Sequence, residues 1–253
     1  MKNLFFIVAF IISTSLGTFA QTVTLDYYFN HEVRVNKAAH QERYHYTWED
    51  TTMSGYSIFG EAFRKSGARL DTLGTAPTSH NLSASDIYII VDPDTKKESP
   101  HPNYIETKDI NEIVKWVKAG GVLVMMANDS ANAELPHFNN LAARFGMHFN
   151  NDLQNHVTGN NYQDGAIITS GNPFFKTAHK IYIKDACSFT LIYPAVAVLK
   201  DKNGAIIIAK AKYGKGSVFT VGDPWLYNEY TNGIIPNDFE NDKATADVSK
   251  WLI

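Results

Sequence analysis

GGVLVMMANDSANAE, residues 120–134, is the stretch whose reading decides the fold. A glycine pair opens it, six apolar residues run from Val122 to Ala127, and Asn128, Asp129 and Ser130 end the run. An apolar stretch this short, bounded by turn formers, reads as a β-strand buried on both faces. Strands of that kind lie inside parallel sheets covered by helices, and ligands of such sheets bind just outside the carboxyl ends of the strands. The stretch therefore predicts an α/β fold and also a place for a site, beginning at Asn128 and Asp129.

Helical spacing flanks it on both sides. Ile110, Ile113, Val114 and Val117 fall at i, i+3, i+4 and i+7, with Thr107 as the expected cap and Gly120 as the stop. Phe138, Leu141, Ala142 and Phe145 repeat the spacing before Gly146. Further out, residues 22–29, 68–73 and 86–91 read as strands, and a helix capped by Ser54 is expected to run to Lys65. Strand–helix–strand–strand–helix–strand–helix is the α/β signature. Residues 147–217 change character, with short strands expected at 147–150, 166–169, 180–183, 188–192, 195–199 and 205–211. Asn203-Gly204 signals a hairpin, and the run from Lys212 to Gly216 a second tight turn. A buried strand at 217–221 follows, and Ala244, Val248, Trp251 and Leu252 mark a closing helix. No internal repeat or linker interrupts the chain, so one domain with added hairpins is expected.

The 253 residues are 44% hydrophobic and 19% charged, enough apolar content for a full core. A net charge of -3 argues against nucleic acid or an anionic membrane as partner. Lys2, the apolar residues 4–12 and the small Ala20 make residues 1–20 a predicted signal peptide, with a mature domain at 21–253 exported to a periplasm. No later apolar run reaches the roughly 20 residues that span a bilayer. Cys187 is the single cysteine, which rules out an intramolecular disulfide and suits a small buried hydrophobe.

If the sheet is parallel, its strand ends share one edge. Asn30 and His31, Asp92 and Asp94, Asn128 and Asp129, then Asp223, Trp225, Tyr227, Asn228 and Glu229 would meet there. The polar excursion 32–53 could add His45, Trp48 and Asp50, and a later loop His156. Carboxylates, amides and imidazoles hydrogen-bond sugar hydroxyls, and ring faces cover the C–H patches of a pyranose. The same residue types also end strands and cap helices with no ligand involved.

Catalytic signals are sparse. Ala127-Asn128-Asp129-Ser130-Ala131 lacks the flanking glycines of a nucleophile elbow, and an acid holds its central slot. The nine histidines show no metal-ligand spacing. His31 with Glu32, or His45 with Asp50, could reach a metal from separate loops, but a surface or hydrogen-bonded histidine is the simpler reading and no metal is expected. Gly214-x-Gly216 is too short for a phosphate loop, and no cofactor is expected. Asp129, His31 and Asp223 remain the candidates if the edge performs acid–base chemistry.

The stretches YFNHE (28–32), HYTWED (45–50), VDPD (91–94), MMANDS (125–130) and GDPWLYNEY (222–230) carry a resemblance over the whole of residues 21–253. The chain resembles the class I glutamine amidotransferase-like domains, and more closely the branch joined to unsaturated rhamnogalacturonyl hydrolases of pectin-degrading bacteria. The resemblance implies a flavodoxin-like three-layer sandwich with a mostly parallel sheet. It also implies a role beside pectin and rhamnogalacturonan breakdown, with a pectic oligosaccharide as ligand and a separately encoded glycoside hydrolase as partner. It does not imply amidotransfer, because active members carry a cysteine at the elbow where Asp129 and its neighbours stand here. The expectation is an accessory carbohydrate-binding module. The alternatives are a hydrolase of glycosidic or ester bonds at the same edge and a purely structural partner.

Overall fold

The computed structural model describes residues 20–231 and 233–253, so the expected signal peptide lies outside the described residues except for Ala20. Strand β1 (Thr22–Asp26) leads to a small hairpin, β2 (Val33–Val35) and β3 (Gln41–Arg43), inside the polar excursion. Helix α1 (Ser57–Lys65), β4 (Arg69–Leu73) and β5 (Ile87–Val91) follow. Next come α2 (Thr107–Ala119), β6 (Val122–Met126) and α3 (Leu135–Ala142). The second half supplies the short strands β7 (Met147–Phe149), β8 (Ala166–Ile168), β9 (Lys180–Tyr182) and β10 (Phe189–Leu191). It closes with β11 (Val196–Lys200), β12 (Ile206–Tyr213), β13 (Gly216–Val221), the single turn α4 (Asn228–Thr231) and α5 (Asn241–Leu252).

Among the described residues the main sheet has seven strands in the order β11-β12-β13-β6-β5-β1-β4. The five from β13 to β4 are parallel, and β11 and β12 extend the sheet as an antiparallel hairpin. In chain order the parallel strands lie second, first, third, fourth, fifth, a flavodoxin-like arrangement whose direction of winding reverses between β1 and β5. The strand at 122–126 is central, with Met126 opposite Val91 on one side and Val221 on the other.

Both faces of that strand are covered, which is why its sequence is continuously apolar. Leu123 and Met125 join Tyr88 and Ile90 beneath α2 and α3. Val124 and Met126 join Ile87, Ile89 and Val91 beneath α1 and α5. Each fully buried side chain of this size contributes about 1.5–3 kcal/mol. The antiparallel pairs β7–β10 and β8–β9 stand outside the main sheet.

Two expected helix starts shift. Helix α2 is capped by Glu106, one residue before Thr107: its carboxylate takes an N3 backbone N–H while Asp109 accepts from the Glu106 N–H, a reciprocal capping box. Ser54 does not cap α1; its hydroxyl donates to Asp50, and the Ile58 N–H near the helix start donates to Asn228 Oδ1 instead.

Candidate functional site

A cavity of about 260 Å³ opens where the parallel strands end. Asn30 after β1, Asp92 after β5, Asn128 after β6, and Asp223 and Tyr227 after β13 all line it, so five of the expected edge residues do meet, and His45 of the excursion joins them. Asn30 Nδ2 donates to the Asp92 carbonyl at 2.8 Å, directly across the reversal between β1 and β5. That is where a sheet of this topology leaves a crevice.

Asp92 is the hub. Its Oδ2 accepts from the Tyr46 hydroxyl at 2.8 Å and its Oδ1 from the Asn128 N–H at 3.1 Å. Burial pushes the carboxyl up to about 7, against the opposing pull of those two hydrogen bonds. Asp223 is equally buried, and its Oδ2 has no hydrogen-bond partner. Burial, reinforced by the charge of Asp92, raises its carboxyl well above the usual range.

The excursion delivers the outer wall. His45 Nδ1 lies 2.7 Å from Glu32 Oε1, and its ring stacks between Tyr44 and Tyr46, with centroids 4.9 and 4.3 Å away. Burial presses the imidazole pKa down, but the Glu32 hydrogen bond and the charges of Glu32, Asp92 and Glu98 outweigh it, and the net shift is upward. His45 and Tyr46 hold φ at +63° and +48°, Asp92 at +33° and Asp185 at +49°. Among the described residues six non-glycine positions have positive φ, and these four all line the cavity. Such strain gathers at ligand sites because the surrounding structure must be built to enforce it.

The remaining expected residues have other places. His31 does not line the cavity; its Nδ1 lies 3.0 Å from Asp94 Oδ2, and its Nε2 is 3.2 Å from the Ser99 hydroxyl. Burial, opposed by the His31 N–H, pushes Asp94 to about 7. Asp129 holds the turn after β6 by accepting from the Ala131 N–H and the Asn132 side chain. His156 is exposed and meets the cavity only through Asp185, at 2.7 Å. Glu229 lies 3.8 Å from Lys184.

Four expectations need correction. Trp225 is 0% exposed and packs edge-on against Phe175, so no sugar can reach it. Trp48 packs against Tyr56, Phe59 and Phe63 and donates its N–H to the Asp71 carbonyl. Asn228 spends its amide on Ile58, Asp50, Thr52 and Ser57. Asp50 accepts from Thr52 and Ser54, within its own turn. In each case apolar packing or backbone hydrogen-bond demand claims the side chain first.

Lys184, Asp185, Glu98, Asn132 and Tyr230 also line the cavity and were not expected there. Lys184 and Asp185 arrive from the turn after β9, outside the main sheet, where no strand-end rule points. Cys187 is buried beside this region, as expected of a small hydrophobe, with its thiol donating to the Ala127 carbonyl. Burial raises that thiol well above its ordinary value. Among the described residues no group of three or more His, Cys, Asp or Glu side chains is placed to hold a metal ion, and no helix is long and apolar enough to cross a membrane.

No family model matches the chain, and no curated protein matches it by sequence. Solved structures do match in fold. The mmIFT52 N-terminal domain aligns at a TM-score of 0.68 and 18% identity, covering 92% of this chain and 97% of that one. Cytoplasmic Protein STM1381 from Salmonella typhimurium LT2 aligns at 0.58 and 13% identity over 92% and 99%. Exo-beta-1,4-mannosidase Op5Man5 from Opitutaceae bacterium strain TAV5 aligns at 0.50 and 12% identity, over 92% of this chain but 36% of that one. At these identities the likeness is one of fold.

Proposed function

We propose that this chain is an exported accessory carbohydrate-binding module that seats one sugar residue of a plant polysaccharide where β1, β5, β6 and β13 end, without amidotransferase activity. One observation carries the reading. Asp223 Oδ2, Asn30 Oδ1 and Asn128 Oδ1 are buried oxygens without a protein partner, on three residues lining one cavity beside the phenol rings of Tyr46 and Tyr227. Buried polar atoms are nearly always paired, so three together read as groups held for ligand hydroxyls. The cavity is slightly smaller than sites for drug-sized ligands, which suits a single sugar ring.

A buried thiol with a raised pKa is no thiolate nucleophile, which supports the absence of amidotransfer. The pectic setting and the separately encoded hydrolase partner rest on the sequence resemblance, and export rests on the N-terminal segment. The Opitutaceae mannosidase, of which the match spans about a third, supports a module of this fold working within a sugar-active protein.

A hydrolase is the second reading, favoured by Asp92. A carboxyl held at about 7 beside a second buried acid is suited to proton transfer at neutral pH.

Thermal-shift titration against pectic and neutral oligosaccharides tests the proposal. A ligand at a hundred times its Kd stabilises the fold by about 2.7 kcal/mol. Asp223→Leu should abolish the shift and leave the unliganded Tm equal or higher, because an apolar residue replaces a buried unpaired acid. Silence with every sugar, or an undiminished shift in the variant, rejects the reading. Products on prolonged incubation that vanish in Asp92→Asn would favour the hydrolase.

A further inference from the structure

We infer that the cavity at the sheet edge selects an uncharged sugar residue and turns away a uronate. The inference rests on the carbohydrate reading above and adds the charge class of the ligand. Five carboxyl groups line the cavity, those of Glu32, Asp92, Glu98, Asp185 and Asp223. Against them, among the described lining residues, stand the Lys184 ammonium and the His45 imidazole. Both are already engaged, His45 with Glu32 at 2.7 Å and Lys184 with Glu229 at 3.8 Å. A ligand carboxylate is normally gripped by an arginine fork or an unengaged lysine. The described lining has neither.

The unpartnered atoms point the same way. Asn30 Oδ1 and Asn128 Oδ1 are buried amide oxygens without a protein partner, and an amide oxygen can only accept. A sugar hydroxyl has a proton to donate to such an oxygen, whereas an ionised carboxylate has only lone pairs. A uronate carboxylate set against these acceptors would leave them unsatisfied and place its charge beside Glu32, Glu98 and Asp185. The two penalties add; a hydroxymethyl in place of the carboxylate removes both, and a methyl ester removes the charge penalty.

Isothermal titration of the protein at pH 7 decides the matter. The probes are neutral oligosaccharides of rhamnose, galactose and mannose, trigalacturonate, and the methyl ester of trigalacturonate. The expected result is a neutral probe or the ester binding at least about tenfold tighter than the free acid, since like charges brought together cost several kcal/mol. The gap should narrow in the Glu98→Gln, Asp185→Asn double variant. An acid that binds as tightly as its ester and the neutral sugars overturns the charge selection and leaves the carbohydrate reading standing. No binding by any probe overturns both. A preference that survives Asp223→Leu at full affinity lies outside this cavity and also overturns the inference.

Discussion

Asp92 shows how much chemistry one residue acquires from its surroundings. In an unfolded chain its carboxyl would titrate at about 3.9. Folding pushes it to about 7 by burial, so between those values the native protein holds a proton that the unfolded chain has released. The stabilising share of this group is complete below about pH 4 and is lost as the pH rises through about 7. Asp94, at about 7, and Asp26, at about 6, slope the same way. The Tm is therefore expected to be lower at pH 8 than at pH 5. Asp92→Asn, which tolerates the positive φ, should shrink that drop by removing about 1.4 kcal/mol per pH unit of linkage. Melting both proteins by circular dichroism checks this, and an identical drop in both would clear Asp92 of the effect. The aspartate was legible in the sequence as a strand-end residue. Its perturbed acidity was not, because that comes from burial by segments distant in sequence, which outweighs the opposing hydrogen bonds from Tyr46 and Asn128.

Elements hold one another through contacts that local sequence does not announce. The N–H of Ile58 at the start of α1 is satisfied by Asn228 Oδ1 from α4, while the Asn228 amide nitrogen reaches the carbonyls of Asp50 and Thr52. One side chain thereby ties the excursion, α1 and the segment after β13 together. Asn228→Ala would leave the Ile58 N–H and the Asp50 carbonyl short of partners, while the Thr52 carbonyl keeps the Gly55 N–H, at about 1–3 kcal/mol for each group that water cannot reach. A loss of roughly 2–4 kcal/mol is expected, seen in urea as a lower midpoint at unchanged slope. A change below about 0.5 kcal/mol would mean that the clamp is replaceable. As a sequence signal, Asn228 in a polar run after a buried strand looked like a ligand contact. Its actual work is that of a cap supplied across 170 positions.

At the scale of the molecule, the inner parallel strands of the main sheet are covered on both faces, whereas the separate β2–β3 hairpin is open to solvent. β1, β5 and much of β6 and β13 are buried, whereas β2 and β3 alternate exposed and half-buried residues. Opening free energy follows burial of this kind. Hydrogen exchange should therefore be slowest in β1, β5, β6 and β13, and among the fastest in β2–β3. Equal protection in the hairpin would show that it is as firm as the main sheet.

Residues 120–134 determined a great deal on their own: a strand buried on both faces, hence a helix-covered parallel sheet, hence a polar edge beginning at Asn128. Hairpins at Asn203-Gly204 and before Gly216 followed from turn chemistry alone. These features are local, since periodicity reports how a residue faces relative to its own element and a turn depends on its own few φ angles. Strand order, the convergence of Tyr46 on Asp92 and the arrival of Lys184 and Asp185 were decided by the tertiary structure. So was the division of Trp48, Trp225 and Asn228 into the core and Asn30, Asp92, Asn128 and Asp223 into the cavity. Both sets are the same kinds of residue in the same kinds of loop, and only packing between segments distant in sequence tells a strand-end side chain whether its nearest neighbour is protein or open space.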